Sequence, residues 1–459
     1  MSLIQWGLVA GLVGAAVWIA HNLSMQLVGL GSAVVGGGFL FVAGWRCLLL
    51  LVGRSPTPDP PAPEIWPRYT VLAALYDEAE VVDQLVARLG ALDYPPDRLQ
   101  GMLVLEARDA ATIRAAVAAD RPDWLTVFIA PPGQPGTKPR ALNCALPHAT
   151  GDLLTVYDAE DAPDPAQLKA AAARFVADAG GNLACLQAPL RIRPVAGSTS
   201  PFIDRQFAAE YASLFETTLP GLARLGLPFP LGGTSNHFRV DVLRAIGGWD
   251  SWNVTEDADL GFRLWRGGWR MGVIARPTGG SAPGRAYDAV PQRAPCPGGG
   301  LQTWGVHTRN PAALGPRGLF ALLMTLGVAL ASAGLYGPTL SWVAASVLVA
   351  LAAGLPPETS RLALSVLVLG AATGWLSCAV GARRASIPYT AWDMMRAPAY
   401  WCLLSLAFSH AVWRLLSEPF AWDKTRHRRE MPVQTHAVLD EAGAQGLSAG
   451  HAATPEPVT

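Results

Sequence analysis

The hydrophobic pattern divides the chain into an apolar N-terminal part, a mixed middle and an apolar C-terminal part. Residues 2–23 and 27–51 form two apolar runs, and Arg46 is the only charged residue that interrupts the second. Each run is long enough to cross about 30 Å of hydrocarbon, because a helix of about 20 residues has that length. We therefore predict that residues 1–53 form a transmembrane helical hairpin.

A proline-rich stretch, residues 54–68, follows the hairpin and predicts a stiff linker, because proline interrupts helices. From residue 69 onward, short apolar runs alternate with segments of helical periodicity. The runs predict strands and the periodic segments predict helices, which together indicate a parallel sheet covered on both faces. The predicted strands are 69–76, 101–107, 125–130 and 153–157, and the predicted helices are 78–94, 109–119 and 138–149.

The chain becomes apolar again after residue 311, and residues 312–420 are predicted to hold transmembrane or interfacial helices. The candidate segments are 319–335, 338–355, 362–381 and 397–416. Arg383, Arg384 and the basic tail sequence DKTRHRRE should all be cytoplasmic by the positive-inside rule. A strict up-and-down count places one of these clusters on the wrong side. We therefore expect either that residues 387–396 lie along the membrane interface or that one segment is re-entrant.

Composition and charge narrow the classes of partner. Hydrophobic residues make up 51% of the chain, which is high for a soluble protein, and the formal net charge is zero. The balance gives no electrostatic basis for nucleic-acid binding. The six cysteines lie far apart without metal-ligand spacing, which indicates a reduced compartment for the middle region. Residues 421–459 are polar and small, and we predict a cytoplasmic tail that is largely disordered.

The candidate chemistry starts at the fourth strand, where the sequence TVYDAEDAPDP places several carboxylates directly after an apolar run. Ligands of parallel α/β sheets bind beyond the carboxyl ends of the strands. In extended backbone Asp158 and Glu160 would point to the same side and Asp161 to the other. Two carboxylates together with substrate phosphates suit Mg²⁺ or Mn²⁺. The alternative is an acidic turn that precedes a helix.

Six further stretches share a pattern with one enzyme family. They are YDEAE (76–80), EARDAAT (106–112), TKPRALNCAL (137–146), GGTSNHFR (232–239), GGWD (247–250) and TEDADLGFRLWRGGW (255–269). With these motifs, residues 69–311 resemble the GT-A domain of membrane-anchored, inverting family 2 glycosyltransferases, the class that includes cellulose and hyaluronan synthases. The resemblance implies an α/β GT-A domain inserted between N-terminal and C-terminal transmembrane helices. Apolar segments flank the motifs in the order expected for this class.

The resemblance implies a nucleotide-sugar donor site with a divalent cation, Mg²⁺ or Mn²⁺. The DAED stretch stands at the family's D-x-D position, so Asp158 and Glu160 are the implied metal ligands, with Glu160 in place of the second Asp. Asp77 likewise replaces the Asn of a Y-N-E motif. The residues implied to bind the donor are Tyr76, Asp77, Glu78, Asp109, Lys138, Asn143 and Asp158.

The T-E-D motif implies the catalytic residues, with Asp257 as the general base and Glu256 beside it. Inversion at a sugar carbon needs a single displacement, so one base and no protein nucleophile are required. The alternative reading of this motif is a helix N-terminus with acidic residues that complement the helix dipole. Asn236 and His237 are the implied acceptor contacts, although a lone histidine is more often structural.

One motif departs strongly from the family pattern. The Q-x-x-R-W motif of processive members corresponds to QRAPC, where Gln292 and Arg293 are present as acceptor contacts but Pro295 and Cys296 replace Arg and Trp. The surrounding residues 275–300 are rich in glycine and proline. Three explanations stay open: a remodelled loop with a different acceptor, an impaired enzyme, or two compensating frame slips in a GC-rich gene.

Together these observations predict an inverting glycosyltransferase in a bacterial-type inner membrane, with its catalytic domain in the cytoplasm. The expected donor is a UDP-sugar, and the expected acceptor is a hydroxyl of a carbohydrate or lipid-linked molecule. Synthesis and export of a polysaccharide would suit the membrane segments. The rival hypotheses are transfer of a single sugar to a lipid phosphate carrier and a catalytically silent membrane scaffold or polysaccharide-binding partner.

Overall fold

The computed structural model describes residues 25–53, 58–194, 198–282, 295–354 and 361–417. Several predictions lie outside the described residues. These are the first helix of the N-terminal hairpin, the acceptor contacts of Gln292 and Arg293, and the disorder of residues 421–459.

The middle of the chain forms a sheet whose first four strands are those predicted. They are β1 (Tyr69–Leu75), β2 (Leu99–Glu106), β3 (Leu125–Ala130) and β4 (Leu153–Tyr157), and they are parallel in the order β3-β2-β1-β4. Their carboxyl ends therefore meet at one edge, where the acidic motifs begin.

Beyond β4 the sheet is mixed, a feature that the strand–helix alternation up to residue 157 did not indicate. The remaining strands of the described chain are β5 (Ala162–Pro163), β6 (Leu183–Gln187), β7 (Leu190–Arg193), β8 (Asn236–Arg239), β9 (Arg270–Val273) and β10 (Thr278–Ser281). The large sheet continues β4-β8-β6-β9, with β8 antiparallel to both of its neighbours. A second sheet has the order β5-β10-β7.

Fourteen α-helices occur within the described residues. Those up to the end of the sheet are α1 (Met25–Val52), α2 (Val82–Gly90), α3 (Ala110–Ala118), α4 (Lys138–Ala145), α5 (Gln167–Val176), α6 (Pro201–Ser213), α7 (Leu219–Arg224), α8 (Val240–Ala245) and α9 (Glu256–Arg266). The later ones are α10 (Pro295–His307), α11 (Gly315–Leu322), α12 (Val328–Ala352), α13 (Arg361–Ala385) and α14 (Ala391–Ser417). Short 3-10 turns are Pro96–Arg98, Leu146–His148 and Pro311–Leu314, and π turns are Leu214–Thr218 and Leu323–Gly327.

Hydrophobic clusters cover both faces of the large sheet, as predicted from its apolar strands. In β1, Leu72 belongs to one cluster, while Val71 and Ala73 belong to the other. This division follows from the strand period of two, which points successive side chains to opposite faces. A strand buried on both faces requires the nearly continuous apolar run that the sequence shows.

Three helical stretches in the described parts of the chain are long and apolar enough to cross a membrane: Ala33–Val52, Pro311–Ala352 and Ser365–Ala385. The predicted segments 319–335 and 338–355 are not separate. They belong to one continuous helical stretch, in which Pro338 lies inside α12. Proline does not end a membrane helix when local adjustments and neighbouring groups satisfy the freed carbonyl.

The last apolar segment, predicted at 397–416, begins earlier, because α14 starts at Ala391. Its first turn packs on the domain that contains the sheet, where Asp393 is buried and pairs with Arg205 of α6 at 2.9 Å. Further along, Ser405 lies beside Gly337 and Phe408 beside Gly334, so α14 runs antiparallel to α12. Residues 391–396 are thus the first turns of the same helix that contains the predicted segment 397–416.

Candidate active site

Lys138 lies where the carboxyl end of β4 meets the start of α4. It is the first residue of α4, and Pro139 follows it in the first turn, where a missing N–H costs no helical hydrogen bond. The Nζ atom of Lys138 pairs with Oδ1 of Asp158, directly after β4, and donates to the carbonyl of Gly233 at 2.7 Å. Three separate stretches of sequence therefore converge on one ammonium group.

The first turn of α9 brings two more carboxylates to the same place. Glu256 and Asp257 both interact electrostatically with Lys138. A Cβ atom placed on Gly233 would lie 3.5 Å from Oδ2 of Asp257, so this carboxylate faces the loop that Lys138 also contacts. The structure thus places Asp158 and Asp257 around one lysine, on the same side of the sheet.

The electrostatics of this cluster shift the pKa of several groups. Burial raises the pKa of Asp257 above its ordinary value, and burial together with the negative charge of Asp257 raises the pKa of Glu256. Burial by itself would lower the pKa of Lys138. The carboxylates of Asp158, Glu256 and Asp257 outweigh burial, and they raise that pKa.

The backbone turns directly after β4, so the premise that Asp158 and Glu160 converge in extended backbone is wrong. The N–H of Asp161 donates to the carbonyl of Asp158 at 3.2 Å and closes the turn. Oδ2 of Asp161 accepts from the N–H of Asp158 at 2.6 Å and from the hydroxyl of Thr234. Asp161 is buried, and burial raises the pKa of its carboxyl. It therefore shapes the turn, a role that the strand pattern did not indicate.

The described residues contain no group of three or more His, Cys, Asp or Glu side chains arranged to hold a metal ion. Asp158 is partly exposed at the end of β4, whereas Asp161 is already used inside the turn. A site with one or two protein carboxylates is what Mg²⁺ takes when substrate phosphates supply further ligands. The donor set around Asp158 fits that case.

The donor residues predicted after β1 and β2 are held together by hydrogen bonds. The N–H of Asp77 donates to Oδ2 of Asp109 at 2.5 Å, and Oδ1 of Asp109 accepts from the N–H of Thr112 as the N-cap of α3. The N–H of Glu78 donates to the hydroxyl of Thr112 at 3.0 Å. Asp109 therefore fixes the loop after β1 to the start of α3.

Tyr76 is exposed, and the guanidinium of Arg108 lies 4.6 Å from the centre of its ring. Since Arg108 follows β2 and Tyr76 follows β1, two adjacent strand ends present an aromatic face and a cation together. Tyr76 and Arg108 thus form a flat surface at this edge of the sheet, which suits a planar ring.

Asn143, predicted near the nucleotide, binds the GGWD turn. Its Nδ2 donates to the carbonyl of Trp249 at 2.6 Å, and its Oδ1 accepts from the N–H of Trp249 at 3.0 Å. Gly248 has φ of +67°, and a Cβ atom there would collide with Oδ1 of Asn143. Two motifs that lie far apart in sequence are therefore one structural unit.

The predicted acceptor contacts Asn236 and His237 lie in β8 and are buried. Nδ1 of His237 is 2.6 Å from the hydroxyl of Tyr69, and the ring has no exposed surface. Burial lowers the pKa of His237 to about 3, so the ring is neutral at pH 7. A direct acceptor contact through His237 is incompatible with this position. Asn236 donates to the carbonyl of Gly232 at 2.5 Å and supports the glycine loop.

Sequence reasoning missed the residues of α10 that support α9. Nε2 of His307 is 3.0 Å from Oδ1 of Asp259, and both side chains are buried. The hydroxyl of Thr303 accepts from Nδ2 of Asn253 at 3.1 Å, just before the T-E-D motif. The stretch LQTWGVHTRNP showed no chemistry by its spacing, and only its position beside α9 reveals this role.

Comparison with known proteins decides the family. Residues 67–314 match the family described as Glycosyltransferase like family 2, which covers more than half of the chain. The chain belongs to glycosyltransferase family 2. This confirms the resemblance drawn from the motifs.

Relatives in this family include polysaccharide and glycolipid synthases. The chain is 31% identical over 248 residues to the cellulose synthase 1 catalytic subunit (UDP-forming) of Komagataeibacter xylinus, which covers 52% of this chain and 32% of the relative. It is 28% identical over 218 residues to the beta-monoglucosyldiacylglycerol synthase of a Synechocystis strain. That match covers 46% of this chain and 43% of the relative. The chain thus spans less than half the length of these two relatives.

A solved structure supports the fold. The mannosyltransferase PcManGT from Pyrobaculum calidifontis, in complex with GDP-Man and Mn²⁺, has a TM-score of 0.54 and 21% identity to this chain. The similarity covers 88% of this chain and 100% of that one. The predicted GT-A fold of this family 2 chain is therefore confirmed.

Proposed function

We propose that this family 2 member is an inverting glycosyltransferase that moves a sugar from a nucleotide-diphosphate donor to a hydroxyl acceptor. The observation that carries the proposal is the convergence of Lys138, Asp158 and Asp257 at the carboxyl end of β4. The arrangement combines a cation for a leaving diphosphate with a carboxylate for an incoming alcohol.

At the donor end, Lys138 would bind a phosphate oxygen, because its ammonium group is a compact positive charge. Asp158 would hold a divalent cation, Mg²⁺ or Mn²⁺, with substrate phosphates as further ligands. Such a cation, when bound, acts as a Lewis acid that stabilises the negative charge developing on the diphosphate. Lys138 already neutralises Asp158 and would do the same for a phosphate next to it.

At the acceptor end, Asp257 would accept the proton of the attacking hydroxyl. The bond from the acceptor oxygen to the anomeric carbon forms as the bond from that carbon to the diphosphate breaks, so the configuration inverts. The raised pKa of Asp257 suits a general base, because proton transfer is most effective when the pKa of the base lies near the working pH. Glu256, whose pKa is also raised, would be neutral beside Asp257 and would assist it as the base.

The donor nucleotide would lie on the surface formed after β1 and β2, where Tyr76, Asp77 and Asp109 are close together. A UDP-sugar is favoured because the cellulose synthase relative is described as UDP-forming. The PcManGT structure holds GDP-Man and Mn²⁺, which supports a metal-dependent nucleotide-sugar site.

The protein would lie in a bacterial-type inner membrane with the catalytic domain in the cytoplasm. Arg384, in the last turn of α13, donates to the carbonyls of Gly53 and Glu216, so the basic end of this helix contacts the GT-A domain. The positive-inside rule places Arg383 and Arg384 in the cytoplasm, and the domain with them.

Two acceptor classes are supported by relatives. Similarity to the cellulose synthases favours a growing polysaccharide as the acceptor. The predicted acceptor contacts Gln292 and Arg293 were assigned on that hypothesis. The beta-monoglucosyldiacylglycerol synthases favour the transfer of a single sugar to a lipid-linked hydroxyl. Product size distinguishes them, because only the first gives a polymer.

The test uses purified full-length protein in detergent or nanodiscs, a panel of UDP- and GDP-sugars, and Mg²⁺ or Mn²⁺. We expect nucleotide diphosphate release with at least one donor, and a loss of about 10²–10⁴-fold in kcat for Asp257→Asn, the range for a missing general base. The matched control, Asp241→Asn, changes a carboxylate in the first turn of α8, away from the site. No release with any donor, or full activity of Asp257→Asn, contradicts the proposal.

A further inference from the structure

An open apolar groove of about 410 Å³ lies on the molecule away from Lys138. This volume is in the range of small-molecule sites, which is about 300–1,000 Å³. Its walls come from α1, from the segment after α7 and from α11: Trp45 and Leu48, Leu225 and Leu227, and Arg317 and Phe320.

Two of the three walls of the groove come from helical stretches that are long and apolar enough to cross a membrane. Trp45 and Leu48 lie in the candidate span Ala33–Val52, and Phe320 lies in the candidate span Pro311–Ala352. The ring of Phe320 packs edge-on against Trp45 at 4.9 Å. A groove with such walls opens toward lipid, so an acyl chain is its natural occupant, since burial of hydrocarbon is favourable.

One end of the groove carries positive charge. Nη2 of Arg317 donates to the carbonyls of Leu225 at 2.8 Å and Gly226 at 3.2 Å, which holds the guanidinium at the rim. Arg224, the exposed neighbour of Leu225, donates to the carbonyl of Val52 at the end of α1. Val52 follows Leu48 by four residues and Trp45 by seven, so all three lie on one face of α1. No Asp or Glu is among the described residues that line the groove.

Trp45 adds an independent polar feature. Its indole Nε1 is buried and has no hydrogen-bond acceptor in the described part of the chain. A buried donor without an acceptor is costly, and tryptophan at a membrane interface usually satisfies its N–H with a polar group.

We propose that this groove binds one anionic membrane phospholipid, with an acyl chain along Trp45, Leu48 and Phe320 and its phosphate on Arg317. Arg317 uses one nitrogen for the carbonyls and keeps further N–H donors for phosphate oxygens, which the guanidinium matches in geometry. Arg224 adds a second positive charge. The site would tie α1 to α11 at the junction between membrane and catalytic domain.

The test measures bound lipid by native mass spectrometry of the full-length protein in micelles that contain equal amounts of phosphatidylglycerol and phosphatidylcholine. Wild-type protein should retain one molecule of phosphatidylglycerol in preference to phosphatidylcholine. Arg317→Gln should lower this preference by about tenfold, the scale of a lost charge-assisted hydrogen bond. Arg98→Gln is the matched control, because Arg98 is also exposed but lies on the GT-A domain, and it should retain the preference.

Two further measurements separate lipid from other ligands. Leu48→Trp fills the groove at an exposed position and should remove the retained lipid, which tests the acyl-chain site even if Arg317→Gln does not fold. Added inorganic phosphate should not displace the lipid. The proposal is overturned if Arg317→Gln and Leu48→Trp both keep the phosphatidylglycerol preference, if phosphatidylcholine is retained equally by wild type, or if inorganic phosphate displaces the lipid.

Discussion

Lys138 is the residue around which the acidic side chains of the site are arranged. It neutralises Asp158 directly and interacts with Glu256 and Asp257, so three carboxylates can lie near one another without strong mutual repulsion. A lysine substituted by methionine would leave these carboxylates uncompensated. The same positive charge is available to a diphosphate.

The first prediction at this scale concerns pH. Asp257 must be deprotonated to act as the base, and burial raises its pKa above the ordinary aspartate value of about 4. Activity should therefore fall as the pH decreases through this raised pKa, at a higher pH than for an exposed aspartate. The acid limb of a profile of kcat/KM against pH measures this pKa. A profile that stays flat down to pH about 4 contradicts the assignment.

The second prediction separates the carboxylates after β4. Asp158→Ala should weaken metal-dependent donor binding by about tenfold or more, because a ligand and the partner of Lys138 are lost. Glu160→Gln tests the second ligand in the same titration. Asp161→Asn should lower stability instead, because Asp161 holds the turn through Asp158 and Thr234. Calorimetry with and without Mn²⁺ measures binding, and equal affinity of Asp158→Ala in both conditions contradicts the metal role.

At the scale of elements, the site depends on contacts between motifs. The start of α4 carries Lys138, and Asn143 in the same helix clamps the GGWD turn through Trp249. The start of α9 carries Asp257, and α10 supports it through His307 and Thr303. The side chains predicted to be catalytic thus lie on helices that hydrogen bonds to other segments hold in place.

Asn143→Ala should destabilise the protein by about 1–3 kcal/mol, because it leaves the backbone N–H and carbonyl of Trp249 without their partner. Asn143→Asp keeps the acceptor for that N–H but places a carboxylate oxygen against the Trp249 carbonyl, so it should destabilise the protein as well. The thermal unfolding midpoint in detergent measures both. Identical midpoints for wild type and Asn143→Ala would show that the clamp contributes nothing.

At the scale of the whole molecule, an apolar C-terminal helix and the GT-A domain meet through very close backbone contact. A Cβ atom on Gly381 of α13 would lie 2.5 Å from the carbonyl carbon of Ala212 in α6. Nearby, Asp393 of α14 pairs with Arg205 of the same helix α6. The helix α6 is therefore the part of the domain to which two later helices are attached.

Gly381→Ala should destabilise the protein by about 1–3 kcal/mol, because the added methyl group collides with backbone that cannot rotate away. Gly370→Ala is a control in the same helix, since nothing lies within 4 Å of its Cβ position. That variant should be neutral or slightly stabilising, because alanine favours helix over glycine. Thermal unfolding of both variants in one detergent makes the comparison, and equal effects would contradict close packing at Gly381.

The sequence by itself determined the four parallel strands, the edge at which the acidic motifs meet, and three of the apolar stretches suited to a membrane. These features depend on local pattern: a strand buried on both faces needs a continuous apolar run, and a membrane helix needs about 20 apolar residues. The grouping of Lys138, Asp158 and Asp257 was implied by the resemblance of their motifs to those of family 2 glycosyltransferases.

Only the tertiary structure decided which distant groups are partners. It inserted β8 antiparallel beside β4 and buried His237 against Tyr69. It also turned the chain after Tyr157 so that Asp161, rather than Glu160, folds back on Asp158, and it continued α12 through Pro338. Periodicity reports how a residue is oriented within its own element. The choice of a partner depends on free energies of packing and hydrogen bonding between segments far apart in sequence, which local pattern does not contain.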